Sequence, residues 1–139
     1  MVDSEKIRQK IRFIEDSIAK LEEVKGFSKE DLTTDFIKLA AVKYLLQTAI
    51  EAMIDTANHI IARERFESPT SAADAFRVLA ARNIISSDNA KTYSLMAKFR
   101  NRIVHMYNEV NPEEIYRIIQ NNLGDFESFL NEVLVFIRK

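Results

Sequence analysis

Glycine and proline occur only at Gly26, Gly124, Pro69 and Pro112 in a chain of 139 residues. Three of the four fall where the apolar periodicity breaks, and no stretch alternates polar with apolar as a half-buried strand does. Without turn residues or strand patterning, such a chain can only stack helices, and brief connections make consecutive helices antiparallel. Ile7, Ile11, Ile14, Ile18 and Leu21 form a narrow stripe that predicts a first helix from about Ser4 to Lys25, stopped by Gly26. The stripe packs either inside the bundle or against another subunit. Ser28 with Asp31, or else Thr34, opens a second helix running to about Arg63. Its apolar positions, among them Leu39, Val42, Leu46, Ile50, Ile54 and Ile61, cover much of its circumference, which places it in the middle of the fold.

After Pro69, Ser71 with Asp74 caps a short helix reaching about Arg82. Ser86-Ser87-Asp88 caps the next, with Tyr93, Met96, Phe99, Ile103 and Met106 on its core side, and it ends between Asn108 and Pro112. Asn111, Pro112 and Glu114 are the start signal of the last helix. Its periodicity from Ile115 to Ile137 passes Gly124 without changing phase, predicting one continuous helix with a weak point there. The expected fold is therefore an all-α antiparallel helical bundle of four longer helices and one short one, a single domain over residues 1–139.

The absence of cysteine excludes disulfides and thiol chemistry and suits a reducing, cytoplasmic setting. No apolar run has the length of a membrane span, and the charged start (Asp3, Glu5, Lys6, Arg8) is no signal peptide, so no membrane association is expected. Two histidines without a second ligand at metal-binding spacing predict no metal site and no cofactor. His59 reads as a surface or interface residue. A net charge of −1 argues against general coating of nucleic acid. Between Arg77 and Tyr107, however, Arg77, Arg82, Lys91, Lys98, Arg100 and Arg102 are opposed only by Asp88. This stretch is either a binding face or a solvated helix side.

Arg100-Asn101-Arg102-Ile103-Val104-His105-Met106-Tyr107 lies within it. At 100° per residue, Arg100 and Tyr107 are nearly eclipsed and Asn101 shares a face with His105, but Arg100 and His105 stand about 140° apart. Either the helix loosens near Val104 or a two-fold dimer brings two copies of the motif together. On the central helix Gln47, Glu51, Asp55 and Asn58 form one polar line. That line is a solvated edge, or it faces the motif so that Glu51, Asp55 or Asn58 orients Arg100 or His105.

The pattern R-N-x-x-x-H-x-Y resembles the signature of the HEPN superfamily. The likeness extends to Leu46–Ile61, with Ala49-Ile50-Glu51, Asp55 and Ala57-Asn58-His59-Ile60-Ile61, to Pro69–Ile85 and to Phe99-Arg100-Asn101. The chain as a whole is similar to the HepT branch, ribonuclease toxins paired with a minimal nucleotidyltransferase antitoxin. The resemblance implies a metal-independent endoribonuclease working from a cleft between paired protomers of a homodimer, with RNA as substrate. It also implies that Tyr107 is where the cognate nucleotidyltransferase attaches AMP and silences the site. In such a reaction His105 serves as base or acid near neutrality. Arg100 supplies a permanent cation for the phosphorane. Asn101 fixes the imidazole or holds a phosphate oxygen, Tyr107 stacks on a base or bonds phosphate, and Lys98 and Arg102 steer RNA or are plain surface charges. Two alternatives from other classes are a non-catalytic module that binds a nucleotide or docks the nucleotidyltransferase, and a purely structural helical dimer.

Overall fold

The computed structural model describes residues 4–138. Its elements are α1 (Ser4–Val24), α2 (Lys29–Thr34), α3 (Phe36–Glu64), α4 (Ala72–Ala81), α5 (Ser87–His105), a single 3-10 turn (Tyr107–Glu109), α6 (Pro112–Asn121) and α7 (Gly124–Ile137). The expected all-α bundle is present, with two of its expected helices interrupted.

The first interruption is made by Asp35. Ser28 and Asp31 form a reciprocal capping box that starts α2, as expected. Asp35 then takes an extended conformation and turns its carboxylate onto the Ile37 and Lys38 amides at 3.0 and 3.2 Å, capping α3. One residue thus ends α2 and begins α3, and Thr34 caps nothing. The second interruption lies at Asn122 and Leu123, not at Gly124. Asn122 leaves helical geometry at φ −119°, and the amides of Asp125 and Phe126 bond three residues back. Leu123 and Phe126 both stay buried, so the apolar phase survives the break.

Helix α3 is the axis of the fold, touching α1, α2, α4, α5, α6 and α7. Cross-contacts run in opposite senses along its antiparallel neighbours: Lys10 and then Phe13 of α1 face Asp55 and then Thr48, and Arg100 and then Tyr107 after α5 meet Glu51 and then Lys43. Behind α5 an aromatic trio locks α4, α5 and α7 together, with Phe76, Tyr93 and Phe129 ring centroids 5.3–5.8 Å apart in tilted and edge-on contacts. Tyr93 donates its hydroxyl to Glu132 at 2.5 Å, and Glu132 also accepts from the Ser86 and Asn89 nitrogens. That carboxylate pins the N-terminus of α5 to α7. Burial, and then the Glu132 bond, push the Tyr93 phenol above its ordinary value. Among the described residues no helix is long and apolar enough to cross a membrane.

Candidate functional site

Helix α5 begins where expected, with the Ser86 hydroxyl accepting from the Asn89 amide at 3.0 Å. It ends at His105. Met106 departs from helical geometry at φ −135°, ψ 46°, and Tyr107–Glu109 form the 3-10 turn. Buried Val110 and the Asn111 cap on α6 hold the far side of that turn. Arg100 and Tyr107 are therefore not stacked on one continuous helix. Met106, expected on the core side, is half-exposed because it lies beyond the helix.

Loosening after Val104 does not bring Arg100 to His105, since both still belong to α5. Arg100 turns inward against α3, with Nη1 3.4 Å from Glu51 Oε2 and its side chain only 22% exposed. Its buried Nε has no hydrogen-bond partner. Gln47 donates to the same Glu51 oxygen at 3.3 Å. His105 and Asn101 are both exposed, four residues apart on a common face. One chain thus offers a half-sheltered guanidinium with unused donors and, elsewhere on the same helix, an open imidazole.

The polar line on α3 divides. Glu51 meets the motif, but Asp55 is paired with Lys10 of α1 and Asn58 is exposed to solvent. The remaining basic residues divide as well. Arg102 is committed to a bidentate pair with Glu114 at 2.7 and 2.9 Å, which joins α5 to α6 and holds the Glu114 carboxyl below its ordinary value. Lys98 is exposed beside that pair, at a cavity of about 410 Å³ whose lining includes Ile50, Phe99 and Phe126.

Lys43 is the residue that sequence reasoning passed over. It is 3% exposed in the N-terminal third of α3, and its ammonium donates to the Tyr107 carbonyl at 2.9 Å. The same nitrogen sits 4.0 Å from the centroid of the Tyr107 ring. Burial pushes this ammonium below the usual lysine value. A lysine three residues before Leu46 and four after Leu39, on the apolar face of a central helix, was the available signal.

A strip of α3, on the helix face that also carries Glu51, lacks a cover among the described residues. Ile37 and Tyr44 are 67% and 63% exposed and Ala41 between them is exposed too, while Phe13 of α1, 51% exposed, stands further along α3 by Thr48 and Glu51. Among the described residues no group of three or more His, Cys, Asp or Glu could hold a metal ion.

A family model described as ribonuclease HepT-like matches residues 14–133. An mRNA nuclease HepT of Shewanella oneidensis is 33% identical over 127 residues, 91% of this chain and 95% of that protein. A tRNA nuclease HepT of Aphanizomenon flos-aquae is 24% identical, over 81% of this chain and 77% of its own. Among solved structures, a tri-AMPylated Shewanella oneidensis HEPN toxin in complex with MNT antitoxin superposes with a TM-score of 0.85 at 32% identity, covering 93% of this chain and 96% of that one. The Bacillus subtilis protein YutE shares the fold, with a TM-score of 0.83 at 21% identity. A match from Ile14 to Val133 takes in the whole of α3 and α5, and the chain belongs to the ribonuclease HepT-like family.

Proposed function

We propose that this chain, folding as one domain, is the metal-independent endoribonuclease toxin of a two-gene system and that Arg100 and His105 are its catalytic residues. The observation that carries the reading is the state of the motif within a family of ribonucleases: Arg100 is anchored on Glu51 with donors to spare, and His105 stands open at the end of α5. His105 takes the 2′-hydroxyl proton or returns one to the departing 5′-oxygen. Arg100 stabilises the charge of the phosphorane. Asn101, on the His105 face, orients the imidazole or a phosphate oxygen. Lys98 steers RNA, and the charge of Arg102 is largely answered by Glu114.

The active form is a homodimer whose sites combine groups from both protomers. Support comes from the 140° between Arg100 and His105 on one helix and from the exposed strip of Ile37, Ala41 and Tyr44 on the Glu51 face of α3. A solved relative is a tri-AMPylated toxin bound to its MNT antitoxin. By the same logic a minimal nucleotidyltransferase is the partner of this chain, and Tyr107, 43% exposed, is the acceptor of AMP. Attachment would set a phosphate and a purine beside His105 and oppose RNA by charge and volume.

Purified protein is incubated with total RNA in EDTA beside Arg100→Ala and His105→Ala, and the product ends are analysed. Cleavage by wild type alone, leaving 2′,3′-cyclic phosphate and 5′-hydroxyl ends, is the expected result. No cleavage by wild type whose mass shows an unmodified Tyr107 would replace the ribonuclease with the nucleotide-binding or docking module.

A further inference from the structure

We propose that Lys43 is a positioning residue of the motif: from inside α3 its ammonium holds the turn that follows α5 and thereby fixes where Tyr107 and His105 stand. The inference rests on the reading of that motif as the ribonuclease site. Its ground is a buried charge with an unusual partner set. Among the described residues Lys43 forms no ion pair with a carboxylate, and its contacts are the carbonyl and the ring of Tyr107. An ammonium taken out of water with one carbonyl and one π face is poorly compensated. An apolar side chain at this buried position would carry no such desolvation cost, so the lysine calls for an explanation in what it holds.

What it holds is the Tyr107 carbonyl, the weaker of the turn's two backbone acceptors. Of the two bonds that close the 3-10 turn, the one from the Glu109 amide to the Met106 carbonyl is 2.9 Å, but the one to the Tyr107 carbonyl, from the Val110 amide, is 3.4 Å long. The Lys43 bond to the same oxygen is 2.9 Å and crosses 64 residues of sequence. Helix α5 is in its last turn at His105, and its final backbone bond, Met106 to Arg102, comes one residue before Tyr107. Helix ends fray unless the chain beyond them is tied. The ammonium provides that tie. It also lies against the Tyr107 ring, 4.0 Å from its centroid, in a residue that remains 43% exposed. One buried cation thus orients both the imidazole used in cleavage and the phenol that is modified.

The test compares Lys43→Met, which keeps the stem and removes the charge, with Lys43→Arg, which restores a donor able to bond the carbonyl and stack on the ring. Lys43→Met is expected to fold with an equal or higher Tm, yet to lower kcat on total RNA by about tenfold or more with KM little changed. Lys43→Arg should recover most of the rate. The Tyr107 ring resonance, assigned through Tyr107→Phe, should move in Lys43→Met and move back toward wild type in Lys43→Arg. A lysine that merely filled space would give wild-type kcat and an unmoved resonance in Lys43→Met, and that result overturns the proposal. If Lys43→Met does not fold, Lys43→Leu, which also lacks a donor, is read in its place by the same criteria. Should wild type itself cleave no RNA, the ribonuclease reading fails, and the Tyr107 resonance alone decides whether Lys43 positions the turn.

Discussion

Removing the carboxylate of Glu132 tests how the motif helix is anchored. Glu132 accepts from the Tyr93 hydroxyl at 2.5 Å, from the Ser86 amide at 2.7 Å and from the Asn89 side chain at 3.1 Å. In Glu132→Ala the Ser86 and Asn89 donors lie at the open end of α5 and can turn to water, so each costs little. Tyr93 cannot, because it is 1% exposed behind the aromatic trio. Loss of a charge-assisted bond and stranding of a buried hydroxyl together cost about 3 kcal/mol. For 139 residues the unfolding entropy is about 0.3 kcal/mol/K, which converts that loss to a fall in Tm of about 10 °C. Thermal unfolding followed by far-UV circular dichroism would read it directly. Tyr93→Phe alone removes the donor and strands nothing, costing about 1 kcal/mol. Added to Glu132→Ala it should cost nothing further and recover part of the loss, a coupling of about 1–2 kcal/mol. A fall below about 3 °C, or strictly additive effects of the two substitutions, would refute the reasoning, since the carboxylate would then not be what satisfies Tyr93. Well below the transition the rate of RNA cleavage should be unchanged, because the trio still docks α5.

Two further outcomes follow from the same geometry. Tyr93 is neutral in the native state and its folded value lies above the ordinary 10.0, raised first by burial and then by Glu132, so its stability contribution is intact below about pH 10 and is lost as pH rises further. Tm should therefore fall more steeply above pH 10 in wild type than in Tyr93→Phe. If each site takes Arg100 from one protomer and His105 from the other, co-expressing Arg100→Ala with His105→Ala rebuilds one intact site in every mixed dimer, about a quarter of wild-type activity in a random mixture. Activity no higher than that of the separate variants would place both residues of a site on one chain.

Much of this fold is legible in the sequence because caps and periodicity are local. The Ser28–Asp31 box, the Ser71, Ser86 and Asn111 caps and the buried stripe from Ile7 to Leu21 all stand where pattern reading puts them. The misreadings are local as well. Thr34 and Asp35 are adjacent cap formers, and periodicity cannot choose between them; the carboxylate won because it reaches two amides at once. At the second break, Gly124 drew attention through its low helix propensity, yet the chain bends two residues earlier at Asn122 while keeping its apolar phase. Periodicity counts buried faces and does not see a bend that preserves them.

The site is less legible, because which polar residue meets which depends on neighbours from distant elements. Glu51 and Asp55 are one turn apart on α3 and look equivalent, but α5 supplies Arg100 to the first and α1 supplies Lys10 to the second. Arg102 looks as free as Arg100 until α6 returns with Glu114. The 140° between Arg100 and His105 is different in kind, being arithmetic on a helix, and it survives because α5 runs unbroken through both positions. The cation is held against α3 while the imidazole faces solvent from another side of α5. A second copy would answer this by supplying one of the two groups, and the exposed strip of Ile37, Ala41 and Tyr44, on the Glu51 face of α3, is apolar surface available for such a copy.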